Sequence, residues 1–249
     1  MSSTTVRLRY AKEGKVRWTS HRDAARIWER ALRRAGLAVA YTEGFSPRPR
    51  LHFGLALPTG YESDVELLEV DLVEQPAVDG LPDRLTAALP VGFSVTAAAV
   101  LEGGEPSLQQ DVTSCSWRIE LREVAPTRAE GAVAAALAAS TLPLARSRKG
   151  HETLDDLRPG ILALCVETTT QDGPPVLLAD LATQPRALRP SELLAACFPE
   201  VAEPIDITHR VRRTHQWIER GGARHEPLDV DRRSAVPTGA ETRALEVCA

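Results

Sequence analysis

The order in which hydrophobic spacing changes along residues 5–101 limits the possible fold more than any other feature of this sequence. Apolar residues at every second position, beginning with Val6 and Leu8, predict a strand, and apolar residues three and four apart then predict a helix. A short strand or hairpin, a strand, a helix and a last strand are predicted at 51–55, 65–73, 81–89 and 93–101. This β-α-β-β-α-β order is typical of a ferredoxin-like domain.

The first predicted strand carries basic side chains on its second face. Arg7 and Arg9 alternate with the apolar residues, so the segment predicts a sheet with one solvated, basic face. Val16 and Trp18 continue the alternation after Gly14, so residues 5–19 are predicted to form either one strand or a hairpin.

The first predicted helix runs from His21 to Ala35 between two clear end signals. Ser20 is a typical N-cap residue, and Asp23 places a carboxylate in the first turn, where backbone N–H groups are free. Gly36 can adopt the left-handed conformation that ends a helix. The buried stripe of this helix is predicted to contain Ile27, Trp28, Ala31, Leu32 and Ala35.

The second half of the chain partly repeats this order. Strands are predicted at 117–121, 162–167, 176–181 and 205–217, and helices at 128–139 and from Ser191, the expected N-cap, to Phe198. We therefore predict an α+β protein with two tandem ferredoxin-like domains, the second degenerate. The expected boundaries are a first domain at 1–103, a linker at 104–114, a second domain at 115–219 and a flexible tail at 220–249.

The net charge of −4 hides an uneven distribution along the chain. Residues 1–50 carry a net charge of +8, residues 51–110 carry −9, and the remaining residues carry −3. Two interpretations fit this division. Either the first segment presents a basic face to a polyanion, or the two segments pack together and neutralise each other.

The strongest candidate site is a basic surface built from the first helix and the loop at 42–50. Two prolines in this loop fix φ and hold neighbouring side chains in place before a ligand binds. Guanidinium groups match phosphate oxygens, and aromatic rings stack on unpaired bases. The predicted RNA- or phosphate-binding residues are Arg22, Arg26, Arg30, Arg33, Phe45, Arg48, Arg50 and His52. The alternative is a solvated helix face beside a structural loop.

A second basic cluster lies in a predicted polar hairpin or loop within residues 143–161. Arg146, Arg148 and Lys149 are its members, and acidic residues follow immediately. The same RNA- or phosphate-binding function is predicted for these three residues, and a solvated hairpin tip is the alternative.

His21 is the one candidate for a catalytic residue. A helix N-terminus and neighbouring cations favour a neutral imidazole, which can accept a proton as a general base. The alternative is a histidine that makes local hydrogen bonds and secures the start of the helix.

The four cysteines form no CxxC pair, and no cluster has convincing ligand spacing, so we expect no metal and no cofactor in this chain.

Three motifs within residues 14–63 carry a resemblance to a known family. They are a Ser-His-x-Asp helix start at 20–23, an E-R-A-L-R-R-A-G-L helix end at 29–37, and a G-F-x-P-R-P-R loop at 44–50 that runs on to F-G-x-A-L-P at 53–58. The segment closely resembles the radical-SAM-linked protein family, a family of unknown function. The resemblance continues weakly to about residue 215 and includes the DLRP stretch at 156–159.

The resemblance implies partners but no catalytic residues. Members look like companions of radical SAM proteins, fused to them or encoded beside them, and in high-G+C Gram-positive bacteria a ribonuclease of the E/G type is often encoded nearby. This chain lacks the three-cysteine motif that radical SAM chemistry requires, so it is expected to be the companion and not the radical enzyme.

Three functional hypotheses follow from these observations. The first is a non-catalytic RNA-binding or substrate-presenting partner of a radical SAM enzyme in RNA modification or processing. The second is a metal-independent endoribonuclease with His21 as its base, and the third is a protein–protein adaptor for the radical SAM protein or the ribonuclease.

No segment approaches the ~20 apolar residues that cross a bilayer, and the N-terminus lacks the apolar run of a signal peptide. We therefore expect a cytoplasmic location and no membrane contact.

Overall fold

A computed structural model describes residues 3–103, 106–148, 151–167 and 173–228, and shows a mixed α+β protein. The elements up to residue 100 are β1 (Thr4–Lys12), α1 (His21–Arg34), β2 (Leu51–Phe53), β3 (Glu62–Leu72), α2 (Leu81–Ala88) and β4 (Phe93–Val100). They are followed by α3 (Leu108–Asp111), β5 (Val112–Leu121), α4 (Pro126–Ala138), β6 (Pro143–Arg148), β7 (His151–Asp156), β8 (Ile161–Glu167), β9 (Val176–Ala182), α5 (Pro190–Cys197), β10 (Thr208–Arg220) and β11 (Ala223–His225).

The described chain divides into two compact units. The first contains the residues up to Val112 together with residues 216–228, and the second contains residues 113–215. Strand β10 therefore contributes residues to both units.

None of the helices in the described ranges is long and apolar enough to cross a membrane.

The sheet of the first unit places β1 between β3 and β4, and β2 lies against β3. All of these neighbours are antiparallel, with Leu8 opposite Leu68 on one side and Ala98 on the other. The alternation in β1 buries Val6, Leu8 and Tyr10 against α1 and α2, as the sequence predicts.

Helix α1 confirms the predicted helix and its N-cap. The Ser20 hydroxyl accepts a hydrogen bond from the Asp23 N–H at 3.1 Å, and Gly36 has a positive φ of 69° just after the helix. Trp28 and Leu32 are fully buried, and the Trp28 ring meets the Tyr10 ring edge-on at 4.8 Å. This contact fixes α1 on the sheet.

Two local predictions in the first unit are wrong. Gly14–Trp18 forms a short 3-10 helix and not a second strand, because five alternating residues do not distinguish the two conformations. The second face of the sheet is not solvated, since Leu67, Ala97, Leu108 and Leu228 form a second apolar cluster there.

The second unit has its own sheet and helices. Strand β9 pairs antiparallel with both β5 and β8, and β10 is the other neighbour of β5. The polar segment predicted at 143–161 contains the antiparallel hairpin of β6 and β7. Helix α5 begins two residues earlier than the predicted N-cap Ser191 implies, because Pro190 occupies the first turn and the Glu192 carboxylate accepts the Arg189 N–H at 3.0 Å. Ser191 therefore lies inside the helix and is not its N-cap.

The structure also changes the expected ends of the domains. Residues 108–111 of the predicted linker form α3, and β5 already begins at Val112. Residues 223–225 of the predicted tail form β11 against β10, and Leu228 is buried. The remainder of the predicted tail, 229–249, lies outside the described residues.

Candidate functional site

The arginines of β1 are neutralised within the first unit. Arg7 is 1% exposed, and its Nε and Nη2 both donate to Glu69 Oε1, at 3.0 and 2.8 Å. Its Nη1 donates to the Pro227 carbonyl at 3.2 Å. Arg9 forms an ion pair with Glu226 and donates to Thr96. The solvated basic face that the alternation predicts for this strand is therefore wrong.

Two further cations near β1 are also engaged. Lys12 Nζ donates to the Thr19 carbonyl at 3.1 Å, and burial lowers the pKa of Lys12 while the Glu66 carboxylate opposes this shift. Arg17 lies 3.5 Å from the Glu62 carboxylate. The carboxylates beside Arg7, Lys12 and Arg17 come from the acidic segment at 51–110, as the second interpretation of the charge division expects. The partner of Arg9, Glu226, comes from outside that segment.

The arginines of α1 have a different environment. We call Arg22, Arg26, Arg30 and Arg33 the α1 stripe, because they recur on one side of the helix and all four are exposed. Arg26 pairs with Asp23 at 3.3 Å across one turn. Within the described part of the chain, the other three guanidinium groups have no carboxylate partner. The α1 stripe is therefore available to an anion in solvent.

The loop at 42–50 is held closed by its own backbone. The Thr42 N–H donates to the Arg48 carbonyl at 2.9 Å, and the Arg48 N–H donates to the Thr42 hydroxyl at 3.0 Å. Phe45 lies in the turn between them with its ring fully exposed, and the Arg48 side chain is exposed as well. The loop thus presents an aromatic ring and a guanidinium group on a closed backbone.

Arg50 lies at the end of the same loop but is already paired. Its Nε lies 2.9 Å from Asp71 Oδ2, and the side chain of Asp71 is 7% exposed. The second carboxylate oxygen of Asp71 accepts the Thr5 hydroxyl at 2.7 Å. Arg48 and Arg50 are two positions apart in the sequence, yet only Arg48 is free for a ligand.

A cleft of about 750 Å³ lies beside β2 in the first unit. Both His21 and His52 line it, and Asp71 and Glu69 form part of its wall. The His21 ring meets the Phe53 ring edge-on at 4.9 Å, and His52 Nε2 lies 4.0 Å from Asp71 Oδ2. We call this site the β2 cleft. It brings together two predicted site residues that are 31 positions apart in the sequence.

Arg146 of the second basic cluster belongs to an ion-pair network within the second unit. Arg146 lies 3.2 Å from Asp155 and 2.5 Å from Glu192, and Arg186 contacts the same two carboxylates. This network ties the β6–β7 hairpin to α5. The side chain of Arg148 and the whole of Lys149 lie outside the described residues.

The described residues contain no group of three or more His, Cys, Asp or Glu side chains that could hold a metal ion.

Residues 5–190 match the family described as uncharacterised proteins conserved in bacteria, DUF2344. The chain belongs to this family. The match begins in β1, covers the α1 stripe and the β2 cleft, and ends at the start of α5. No curated protein matches the chain.

In this DUF2344 protein, sequence reasoning missed Asp71, which holds both Arg50 and Thr5 and faces His52. The alternation of charged residues on two strands is a sequence signal for Asp71. Glu69 and Asp71 occupy alternate positions of β3, and Arg7 and Arg9 occupy alternate positions of β1. Arg7 lies directly opposite Glu69 in the strand register. Opposite charges facing each other across two strands favour pairing, which the alternation of both segments could have predicted.

Proposed function

We propose that this protein binds single-stranded RNA through the α1 stripe and the 42–50 loop, as an accessory protein of a radical SAM enzyme in RNA modification or processing. The observation that carries the proposal is the exposed set of α1 guanidinium groups that have no carboxylate partner among the described residues. In a chain with a net negative charge, such a set is an unneutralised local surface.

The geometry of the α1 stripe supports a phosphate backbone as the ligand. From Arg22 to Arg33 the helix rises about 16 Å, which is long enough to meet several consecutive phosphates. Guanidinium groups donate two parallel hydrogen bonds to phosphate oxygens, and they stay charged at any physiological pH.

The 42–50 loop supports a single-stranded ligand. A fully exposed aromatic ring such as Phe45 has no packing role, and base stacking on aromatic rings is sequence-tolerant. The hydrogen bonds between Thr42 and Arg48 reduce the ordering that binding would require.

We also infer that the two units are tandem ferredoxin-like domains. The first unit has the order β-α-β-β-α-β, with β1 and β3 central and β4 and β2 as their outer neighbours. The second unit repeats it with β5, β8, β9 and β10, in the neighbour order β10-β5-β9-β8 and with the β6–β7 hairpin inserted after α4. Ferredoxin-like sheets are frequent RNA platforms, although function depends on the site.

The radical SAM partner rests on the sequence resemblance in the helix and loop motifs. The segment at 14–63 that holds those motifs also contains the α1 stripe and the 42–50 loop, so the segment that carries the resemblance also carries the proposed RNA surface. We propose a cytoplasmic complex in which this chain presents RNA to the radical SAM protein.

The RNA proposal is tested on the loop by fluorescence anisotropy with a labelled pool of single-stranded RNA of random sequence. Phe45→Ala and Arg48→Ala should each weaken binding by about tenfold at fixed salt, in the range of one lost stacking or charged contact. Val91→Ala removes an equally exposed apolar side chain away from this loop and should leave the affinity unchanged. Unchanged affinity in both loop variants would contradict the proposed contact.

The partner proposal is tested by crosslinking and tagged purification from native cells, with and without nuclease treatment. Recovery of a radical SAM protein that is lost after nuclease treatment supports RNA presentation. Recovery that survives the nuclease, with no RNA bound by the purified chain, identifies the adaptor function instead.

A further inference from the structure

We propose that His21 and His52 form an acid–base pair in the β2 cleft that cleaves RNA without a metal ion. This inference goes beyond RNA binding and rests on it, because the α1 stripe would bring the RNA to the cleft at the N-terminal end of the same helix. The reaction class follows from two imidazoles that line one cavity.

His21 is positioned by its helix and by one aromatic contact. It is the first residue of α1, its side chain is exposed, and the Phe53 ring lies edge-on at 4.9 Å with 72° between the planes. Among the described residues, neither of its ring nitrogens has a hydrogen-bond partner. The ring is therefore oriented while both nitrogens stay available to a substrate.

His52 is positioned by the alternation of β2. Leu51 and Phe53 pack against the core of the first unit, so His52 between them points the other way. Its Nε2 lies 4.0 Å from Asp71 Oδ2. A carboxylate beside an imidazole fixes its orientation and stabilises the imidazolium ion.

Asp71 is itself held in place, which makes it a positioning residue. Thr5 donates to one of its oxygens at 2.7 Å, and Arg50 Nε lies 2.9 Å from the other. The second carboxylate in the wall, Glu69, is bound to the buried Arg7. Both carboxylates thus have a guanidinium partner, so a phosphate group entering the cleft does not meet unneutralised negative charge from them.

These groups can perform an internal transesterification of RNA. Neutral His21 takes the proton of the ribose 2′-hydroxyl, and the 2′-oxygen attacks phosphorus and forms a new P–O bond. The bond from phosphorus to the 5′-oxygen breaks, and the imidazolium of His52 gives its proton to that oxygen. The products are a 2′,3′-cyclic phosphate and a 5′-hydroxyl, so no water, metal ion or redox partner is consumed.

The test uses the full chain, a labelled single-stranded RNA pool of random sequence, and excess EDTA. We expect cleavage that leaves 2′,3′-cyclic phosphate ends, and no cleavage of the matching DNA pool, which lacks the 2′-hydroxyl. His21→Ala and His52→Ala should each slow cleavage at least about a hundredfold, the usual contribution of a general acid or base. His209→Ala, which removes an exposed histidine in the second unit, should leave the rate unchanged.

The role of Asp71 needs a readout that a structural defect would not give. Asp71→Asn keeps the shape of the side chain and removes its charge, so it should slow cleavage, because His52 loses the carboxylate that orients it. Asp71→Glu keeps the charge and should recover part of the rate. Equal rates in the two variants would contradict a positioning role for the carboxylate.

The outcomes separate this inference from the RNA-binding proposal. If the wild-type chain binds RNA but leaves it intact, or if both histidine variants cleave like the wild type, the acid–base pair is contradicted and RNA binding stands. If the wild-type chain binds no RNA, the proposed function fails first. Circular dichroism of His21→Ala and His52→Ala should match the wild type, since both side chains are exposed.

Discussion

β1 and α1 hold two neighbouring runs of arginine, and the fold gives them opposite environments. Arg7 and Arg9 on β1 have carboxylate partners, and Arg7 is buried. Three members of the α1 stripe are exposed and have no carboxylate partner among the described residues. The net charge of a sequence segment therefore does not predict the charge of a protein surface, because the tertiary structure decides which arginines meet a carboxylate.

The physical reason lies in the geometry of the two elements. A strand in the middle of a sheet presents both faces to other parts of the protein, so a basic residue on it must be paired or desolvated at a cost. A surface helix buries one stripe, here with Trp28 and Leu32, and leaves the opposite side in water.

The greatest loss of stability is expected when the buried ion pair of β1 is removed. Arg7→Met should lower the free energy of unfolding by about 3 kcal/mol, because it leaves the largely buried Glu69 carboxylate without its guanidinium. Urea denaturation measures this effect. The double variant Arg7→Met, Glu69→Leu should recover much of the loss, and Arg30→Met is the matched control on α1. A loss below about 0.5 kcal/mol for Arg7→Met would show that the pair has no structural role.

The next effect separates two arginines of the same loop. Arg50→Ala should lower the free energy of unfolding by about 1.5 kcal/mol, since Asp71 keeps only its Thr5 hydrogen bond. The control Arg48→Ala removes an exposed side chain and should change stability by less than about 0.5 kcal/mol. Thermal unfolding of the two variants side by side checks this, and equal melting temperatures would contradict the assignment of Arg50 to a structural pair.

A smaller effect concerns what does stabilise α1. Ser20→Ala should cost about 1 kcal/mol, because the Asp23 N–H loses its hydrogen-bond acceptor at the start of the helix. Ser20→Asp supplies another acceptor and should recover most of this loss, which denaturant titration of both variants measures. If Ser20→Ala unfolds like the wild type, the N-cap does not determine where α1 begins.

The smallest expected effect is on the α1 stripe itself. Replacing Arg22, Arg30 and Arg33 together by Gln should change the free energy of unfolding by less than about 0.5 kcal/mol, since none of them has a carboxylate partner among the described residues. Circular dichroism during thermal unfolding measures this. A clear destabilisation would mean that these side chains serve the fold and not a ligand.

The sequence predicts α1 well because its signals are local. The N-cap Ser20, the buried spacing around Trp28 and the positive φ at Gly36 each act on residues within about one helical turn. The element at Gly14–Trp18 is too short for such signals, so its alternation predicted a strand where a 3-10 helix forms.

The candidate site could be predicted only in part, because much of it depends on distant residues. The burial of Arg7 requires Glu69 on β3 and the carbonyl of Pro227, which is 220 positions away. The β2 cleft likewise joins His21 of a helix to His52 of a strand. The exposed α1 stripe followed from helical spacing alone, and that spacing is local.

The salt dependence of RNA binding distinguishes the ligand-binding arginines from the structural ones. For the chain with Arg22, Arg30 and Arg33 replaced by Gln, the slope of log affinity against log salt concentration should become shallower by about 2, since three phosphate contacts on a single strand are lost. Arg9→Gln, on the neutralised strand, should leave the slope as in the wild type. An unchanged slope in the α1 variant, or an equal change in the Arg9 variant, would contradict the division of the two arginine runs into ligand-binding and structural groups.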